Sequence, residues 1–205
     1  MKSVVFAFLA LLGFAGPAAA DFSGPVAPAT WTIVNTGTLA GASPTLGLAQ
    51  FTTTQLVLTG SDSLPLPDNS PSCAGGFFQT LGPCQLQVTT HLPGTYSFSW
   101  SYLTNDAAGP GGDLFGVIVD STRIPLSDSL GAPAQSGTST FAANSSFAWY
   151  INCSDCVGGS ATSTISRFTF AAAVPEPQTY ALLLPGVLAV VAWGGRRRKR
   201  AGRGG

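Results

Sequence analysis

The clearest pattern in the chain is a period of two over 95–104. Tyr96, Phe98, Trp100 and Tyr102 fall on one face, and Thr95, Ser97, Ser99 and Ser101 on the other. A strand with one buried side reads this way. The aromatic row is expected to be the inner face of a sheet; exposed rings stacking on sugars are the alternative. Shorter runs of β-prone residues predict strands at 31–34, 51–59, 85–90, 147–152 and 161–170. In 147–152, Phe147, Trp149 and Ile151 share a side. In 161–170, Phe168 and Phe170 point together. The stretches 114–119 and 123–126 predict a hairpin around Asp120-Ser121-Thr122. Between these runs, 37–47 has little pattern, 61–76 reads as a long loop with Pro65, Pro67 and Pro71, and 105–112 is a Gly-rich loop. The Pro-rich stretch 21–29 is expected to be loose. No helical period intervenes. The expectation for 21–173 is an all-β exported domain, an antiparallel β-sandwich of jelly-roll-like type.

The two ends follow other rules. Residues 1–20 read as a secretory signal peptide: Lys2 is the positive start, 4–14 the apolar core, and Ala18-x-Ala20 the small residues before cleavage between Ala20 and Asp21. An uncleaved anchor is the alternative, but the core is short and small residues follow it. At the other end stand Val174-Pro175-Glu176-Pro177, an apolar run, and the basic cluster Arg196, Arg197, Arg198, Lys199 and Arg200. The prolines hold the backbone extended, because neither can donate a hydrogen bond and Pro177 keeps Glu176 from helical angles. A helix over 179–195 is roughly 25 Å long, somewhat less than the hydrocarbon thickness. Its terminal position, the Pro-x-Pro break and arginines able to snorkel favour a membrane span over a core helix or an interfacial one. Cations beside an apolar helix stay cytoplasmic, so the bulk of the chain is expected outside, with 201–205 a disordered tail.

This order of Pro-Glu-Pro, short apolar helix and Arg-rich end resembles the PEP-CTERM sorting signal of Gram-negative bacteria. The resemblance covers only the last thirty or so residues. It implies export (here through the Sec machinery), a stage in the inner membrane, processing by exosortase, and release or attachment at the cell surface, often alongside extracellular polysaccharide. By resemblance Pro175, Glu176 and Pro177 form the recognition motif. It implies nothing about the domain before it.

Charge sharpens the division. From 21 to 173 two arginines (Arg123, Arg167) face eight aspartates, a net −6, while the tail from Val174 carries six cations and one glutamate, a net +5. An acidic domain on a basic anchor excludes nucleic-acid binding, which needs a basic face on the folded domain. The 25 glycines and 15 prolines argue further for loops and strands.

Four cysteines lie in the exported part, and an even number in an oxidising compartment favours disulfides. The preferred pairing is Cys73–Cys84 and Cys153–Cys156; two other connectivities stay open. A redox role for Cys153-Ser-Asp-Cys156 needs a helix N-terminus that the strand pattern does not provide. A four-Cys zinc site fits by count, but the compartment and the wide first spacing argue against it.

Catalytic residues are sparse. Glu176 is the only glutamate and His91 the only histidine. His91 reads as an exposed turn residue, and no Gly-x-Ser-x-Gly elbow accompanies it. Asp106 and Asp113 flank the Gly-rich loop, with Asp120 beyond the next strand. They are candidates for a structural calcium, or simply turn residues. No other cofactor is implied. The sequons at Asn144 and Asn152 are read as chance matches. The expectation is a non-enzymatic cell-surface or matrix protein, with polysaccharide as candidate ligand. The alternatives are a secreted hydrolase working through aspartates and an uncleaved type I membrane binding protein.

Overall fold

The computed structural model describes residues 22–36, 38–39, 42–64, 73–74, 84–106, 109–154, 156 and 159–173. The signal peptide, its cleavage site at Ala20 and Asp21, the motif at 174–177, the helix at 179–195 and the basic cluster at 196–200 lie outside them. Among the described residues no helix is long and apolar enough to cross a membrane.

The described strands are β1 (Thr32–Thr36), β2 (Thr38–Leu39), β3 (Ala42–Thr45), β4 (Leu48–Phe51), β5 (Gln55–Thr59), β6 (Asp62–Leu64), β7 (Cys73–Ala74), β8 (Cys84–Thr90), β9 (Gly94–Thr104), β10 (Asp113–Val119), β11 (Thr122–Pro125), β12 (Ala134–Ala143), β13 (Phe147–Cys153) and β14 (Ala161–Ala172). They form a β-sandwich of two five-stranded sheets, ordered β1-β8-β13-β10-β11 and β12-β9-β14-β5-β4. Two small ladders, β2-β7 and β3-β6, stand beside them. The chain changes sheet at β8 to β9, β9 to β10, β11 to β12, β12 to β13 and β13 to β14. Consecutive elements therefore face each other across the core.

That core is aromatic. Trp149, at the centre of β13, stacks on Trp31 with ring centroids 4.8 Å apart and meets Phe147, Phe98, Phe168 and Phe22 edge-on. Tyr96 stacks on Phe147 at 4.2 Å. As expected, Tyr96, Phe98 and Tyr102 point inward and are buried, and Trp100, partly buried, packs against the same core. Each such side chain contributes about 1.5–3 kcal/mol relative to remaining exposed.

Four details depart from the sequence reading. The stretch 22–29, expected to be loose, is packed, and it leads into Trp31. Phe22, Val26 and Trp31 all enter the core, and the Trp31 indole donates to the Val26 carbonyl at 3.0 Å. The apolar area of those rings outweighs the proline content around them. The run 51–59 is two strands, because the Thr52 hydroxyl accepts the Gln55 amide at 3.0 Å and folds the chain back between β4 and β5. Residues 37–47 and 61–76 contribute the short strands β2, β3, β6 and β7. Finally, β12 has no counterpart among the expected strands. The predicted hairpin is present as β10–β11, with Asp120 and Ser121 both at positive φ (47° and 73°), as a two-residue turn matched to strand twist requires.

In β14 the burial period breaks once: Ala161, Ser163 and Ile165 are buried, then Phe168. Arg167 sits at φ 49° and is exposed. An inserted residue of this bulge type turns Arg167 outward and restores Phe168 and Phe170 to the core side.

Candidate functional site

Because the side-chain period of a strand is two, burying one face of β9 hands the other to solvent. The register carries this across the second sheet. Ser97, Ser99 and Ser101 of β9 lie opposite Thr140, Thr138 and Ser136 of β12. Thr162 of β14 lies opposite Thr59 of β5, and Ser166 opposite Gln55. Thr164 shares their face. Gln50 and Leu48 of β4 complete the outer surface. None of these positions is charged, and Arg167 of β14 is the exposed cation on the same sheet. Neighbouring hydroxyls already bond, as Ser97 does with Thr140 at 2.9 Å. Strand geometry spaces the rows about 4.8 Å apart, with hydroxyls about 6.8 Å apart along each row.

One part of the face is concave. A shallow open groove of about 550 Å³ is lined by Ser101, Tyr102, Leu103, Ala134, Gln135, Ser136, Thr162 and Thr164. Leu103 supplies apolar contact in the groove, 49% exposed, and Leu48 stands 52% exposed on the edge strand of the same face. Each Ser or Thr hydroxyl both donates and accepts. The groove therefore matches a ligand carrying the same neutral, two-way groups. No single residue of it announced itself in the sequence; the signal was the polar half of the 95–104 alternation.

The outer face of the first sheet is different. Tyr150 lies over Gly116, where an added Cβ would come within 2.6 Å of the Tyr150 hydroxyl and would also meet the Ile124 carbonyl. The Arg123 guanidinium stacks over the Tyr150 ring, 4.3 Å from its centroid. One of its amino groups donates to Gln85 Oε1. Gln85 Nε2 donates to Gln87 Oε1 at 2.9 Å, and Gln87 Nε2 to Thr89 Oγ1 at 2.8 Å. Burial raises the Tyr150 hydroxyl pKa, while Arg123 opposes the shift. Gly116→Ala should unseat the ring and cost about 1–3 kcal/mol of stability, read as a shift in the urea midpoint.

The acidic candidates separate. Asp106 and Asp113 come together at the Gly-rich loop and share Thr104: the Asp106 amide donates to Thr104 Oγ1 at 3.0 Å, and that hydroxyl donates to Asp113 Oδ2 at 3.2 Å. Both are buried, at 8% and 1% exposure, so neither faces a substrate cleft. Beside them Tyr102 donates to the Asp113 carbonyl, and burial pushes its hydroxyl up to about 12. Their oxygens and the nearby backbone suit a calcium ion in kind, but two carboxylates alone do not define one.

Asp120 lies at the other end of β10, roughly 23 Å away. Its carboxylate accepts from the amides of Asn144, Ser145 and Ser146, from the Ser145 hydroxyl and from the Asn144 side chain, at 2.7–3.1 Å. It ties the β10–β11 turn to the β12–β13 turn. The three amides and the Ser145 hydroxyl hold the carboxyl well below the usual range. Since the folded value is the depressed one, the contribution is complete above the unfolded pKa of about 3.8 and is lost as pH falls through the folded value. Asp120→Asn should therefore lower the melting temperature at pH 7, and the gap from wild type should close in strong acid.

His91, exposed as expected, follows β8. It lies at the end of β9 opposite the Asp106–Asp113 pair, and the Asp120 carboxylate is already occupied. Asp106, Asp113, Asp120 and His91 thus do not assemble into one acid–base site.

Cys153 and Cys156 are disulfide-bonded, as expected. Cys84 is disulfide-bonded too, while the Cys73 side chain, its expected partner, lies outside the described residues. Cys84 is paired in register with Cys153, and the sulfurs of Cys84, Cys153 and Cys156 lie within 4.8 Å of one another. All three are buried. Bonded to each other, Cys153 and Cys156 offer no thiolate to zinc, and they close the end of a strand rather than open a helix. Replacing both by serine should cost about 2 kcal/mol, measured by denaturation, since the loop they close is short.

No family model matches the chain, and no curated protein matches it. Among solved structures the chain is similar to one described as "CBM4 structure and function", at 12% identity and TM-score 0.36 over 70% of this chain and 86% of that one. It is similar to the N-terminal cellulose-binding domain of Cellulomonas fimi beta-1,4-glucanase C, at 13% and 0.31 over 73% and 92%. It is also similar to a cyclase from Fischerella sp. TAU in complex with 4-(1H-indol-3-yl)butan-2-one, at 11% and 0.28 over 77% and 96%. Superpositions this loose leave the ligand to be argued from the faces themselves.

Proposed function

We propose that the chain is an exported, non-enzymatic β-sandwich that holds neutral polysaccharide along the hydroxyl-lined groove of the β12-β9-β14-β5-β4 sheet. The observation that carries this reading is a groove with no charged lining residue, set in the outer face of that sheet where hydroxyls repeat in register, at Ser101, Ser136, Thr162 and Thr164. Each hydrogen bond there is worth only about 0.5–1.5 kcal/mol net, so affinity comes from many sugars held in series. With no charge among the residues lining the groove, binding should depend little on salt. The test is co-sedimentation of the full chain with insoluble neutral glucans and with the producer's own polysaccharide. Retention that persists at 1 M salt, without release of reducing ends, supports the reading. Release of reducing ends supports the hydrolase alternative.

The sorting segment belongs to the same proposal. Secretion by way of residues 1–20, passage through the inner membrane and processing by exosortase at Pro175-Glu176-Pro177 would place the sandwich at the cell surface, where such polymers lie. Intact mass of the mature protein should show loss of the first twenty residues and of the tail, with Glu176→Ala keeping its tail. A wild-type protein that keeps its basic end would make it an uncleaved membrane-bound module.

A further inference from the structure

The first sheet carries a second, chemically opposite strip. Arginine only donates, so the Gln85 atom facing Arg123 is its carbonyl oxygen. The Gln85 nitrogen then faces Gln87, whose own nitrogen faces Thr89. The direction of the whole ladder follows from one guanidinium. Its carbonyl oxygens are engaged inside the ladder, and the N–H groups left over, with the remaining donors of Arg123, are what the strip has for a ligand. Arg123 is exposed, yet stacking on Tyr150 and the bond to Gln85 hold it in one place. A guanidinium fixed in this way has less side-chain entropy to lose on binding, and its planar fork matches a carboxylate.

We infer that this strip is a separate subsite for the carboxylate of an acidic sugar, with Arg123 as the anion contact and Gln85 and Gln87 as the residues that position it. The subsite is independent of the neutral groove, which lies on the other sheet. The domain's net negative charge acts weakly here, because charges beyond about 8 Å are screened at physiological salt.

The test uses the full chain with oligogalacturonate as probe and its neutral methyl ester as control. Wild type should bind the acid, more weakly as salt rises, and the ester at least tenfold more weakly. Arg123→Ala should lose tenfold or more for the acid, and Arg123→Lys, which keeps the charge without the fork, should lose less. Gln85→Leu should weaken the acid while leaving the ester unchanged. Thr164→Glu, on the other sheet, should leave acid binding unaltered, which separates this subsite from the groove. Equal binding of acid and ester, no binding by wild type, or wild-type affinity in a folded Arg123→Ala protein would each overturn the assignment. If Arg123→Ala fails to fold, Arg123→Lys decides: acid affinity equal to wild type rejects the fork.

Discussion

Trp149→Ala is expected to destabilise the sandwich by about 3–5 kcal/mol. The indole is fully buried, stacks on Trp31 and touches Phe22, Phe98, Phe147 and Phe168. Those partners come from the N-terminal strap and from both sheets. Cutting the side chain to a methyl leaves a cavity that the strap and strands β9, β13 and β14 cannot close without leaving their registers. Against a total stability of about 5–15 kcal/mol for a domain, the loss is large. Equilibrium urea unfolding measures it directly. A shift below about 1 kcal/mol would mean that the two sheets hold together without their aromatic centre.

Thr164→Glu, alone and with Ser101→Glu, is expected to remove most neutral-polysaccharide binding while leaving stability within about 0.5 kcal/mol. Both positions line the groove and point away from the core. A carboxylate there meets solvent in the unbound protein. Beneath a neutral polymer it loses water and finds no cation among the groove residues. The penalty of about 2 kcal/mol corresponds to roughly thirtyfold in affinity. Thr164→Ser, which keeps the hydroxyl, should bind as wild type does. Affinity electrophoresis in glucan-containing gels reads all of these together. Unchanged migration of the double variant would move the binding site off this sheet.

How much of this was legible in the residues varied with the cause. Strand β9 was plain because its inner face is aromatic and its outer face hydroxyl without exception over eight residues. Its partner β12 was not, because its inward positions are Gln135, Gly137, Ser139 and Phe141, and no apolar period results. The structure supplies the reason for Gly137: a Cβ there would lie 2.9 Å from the Trp100 ring. Large residues on one strand dictated small ones on the next, and only tertiary packing reveals that. The stretch 22–29 is packed against expectation, because its proline content suggests looseness while Phe22 and Val26 enter the core. Threonines at 52–54 resembled strand residues, yet Thr52 folds the chain by bonding Gln55.

The candidate sites followed the same division. The groove was half visible, as the polar side of β9, but its other wall comes from β12 and β14. The Arg123 strip was invisible, since Gln85, Gln87, Arg123 and Tyr150 meet only when β8, β13, β10 and β11 are laid side by side. Asp106 and Asp113 were singled out for their loop and do converge, but their burial suits them to holding that loop in place.

The most direct test of the neutral-groove reading is hydroxyl-radical footprinting of the full chain with and without a neutral glucan. Leu48 and Leu103 stand on the hydroxyl face and Val34 on the outer face of the first sheet, and all three are exposed. Bound glucan should protect Leu103 most and Leu48 in part, leaving Val34 oxidised as before. Protection of Val34 with none at Leu103 would contradict the account and put the polysaccharide on the opposite sheet.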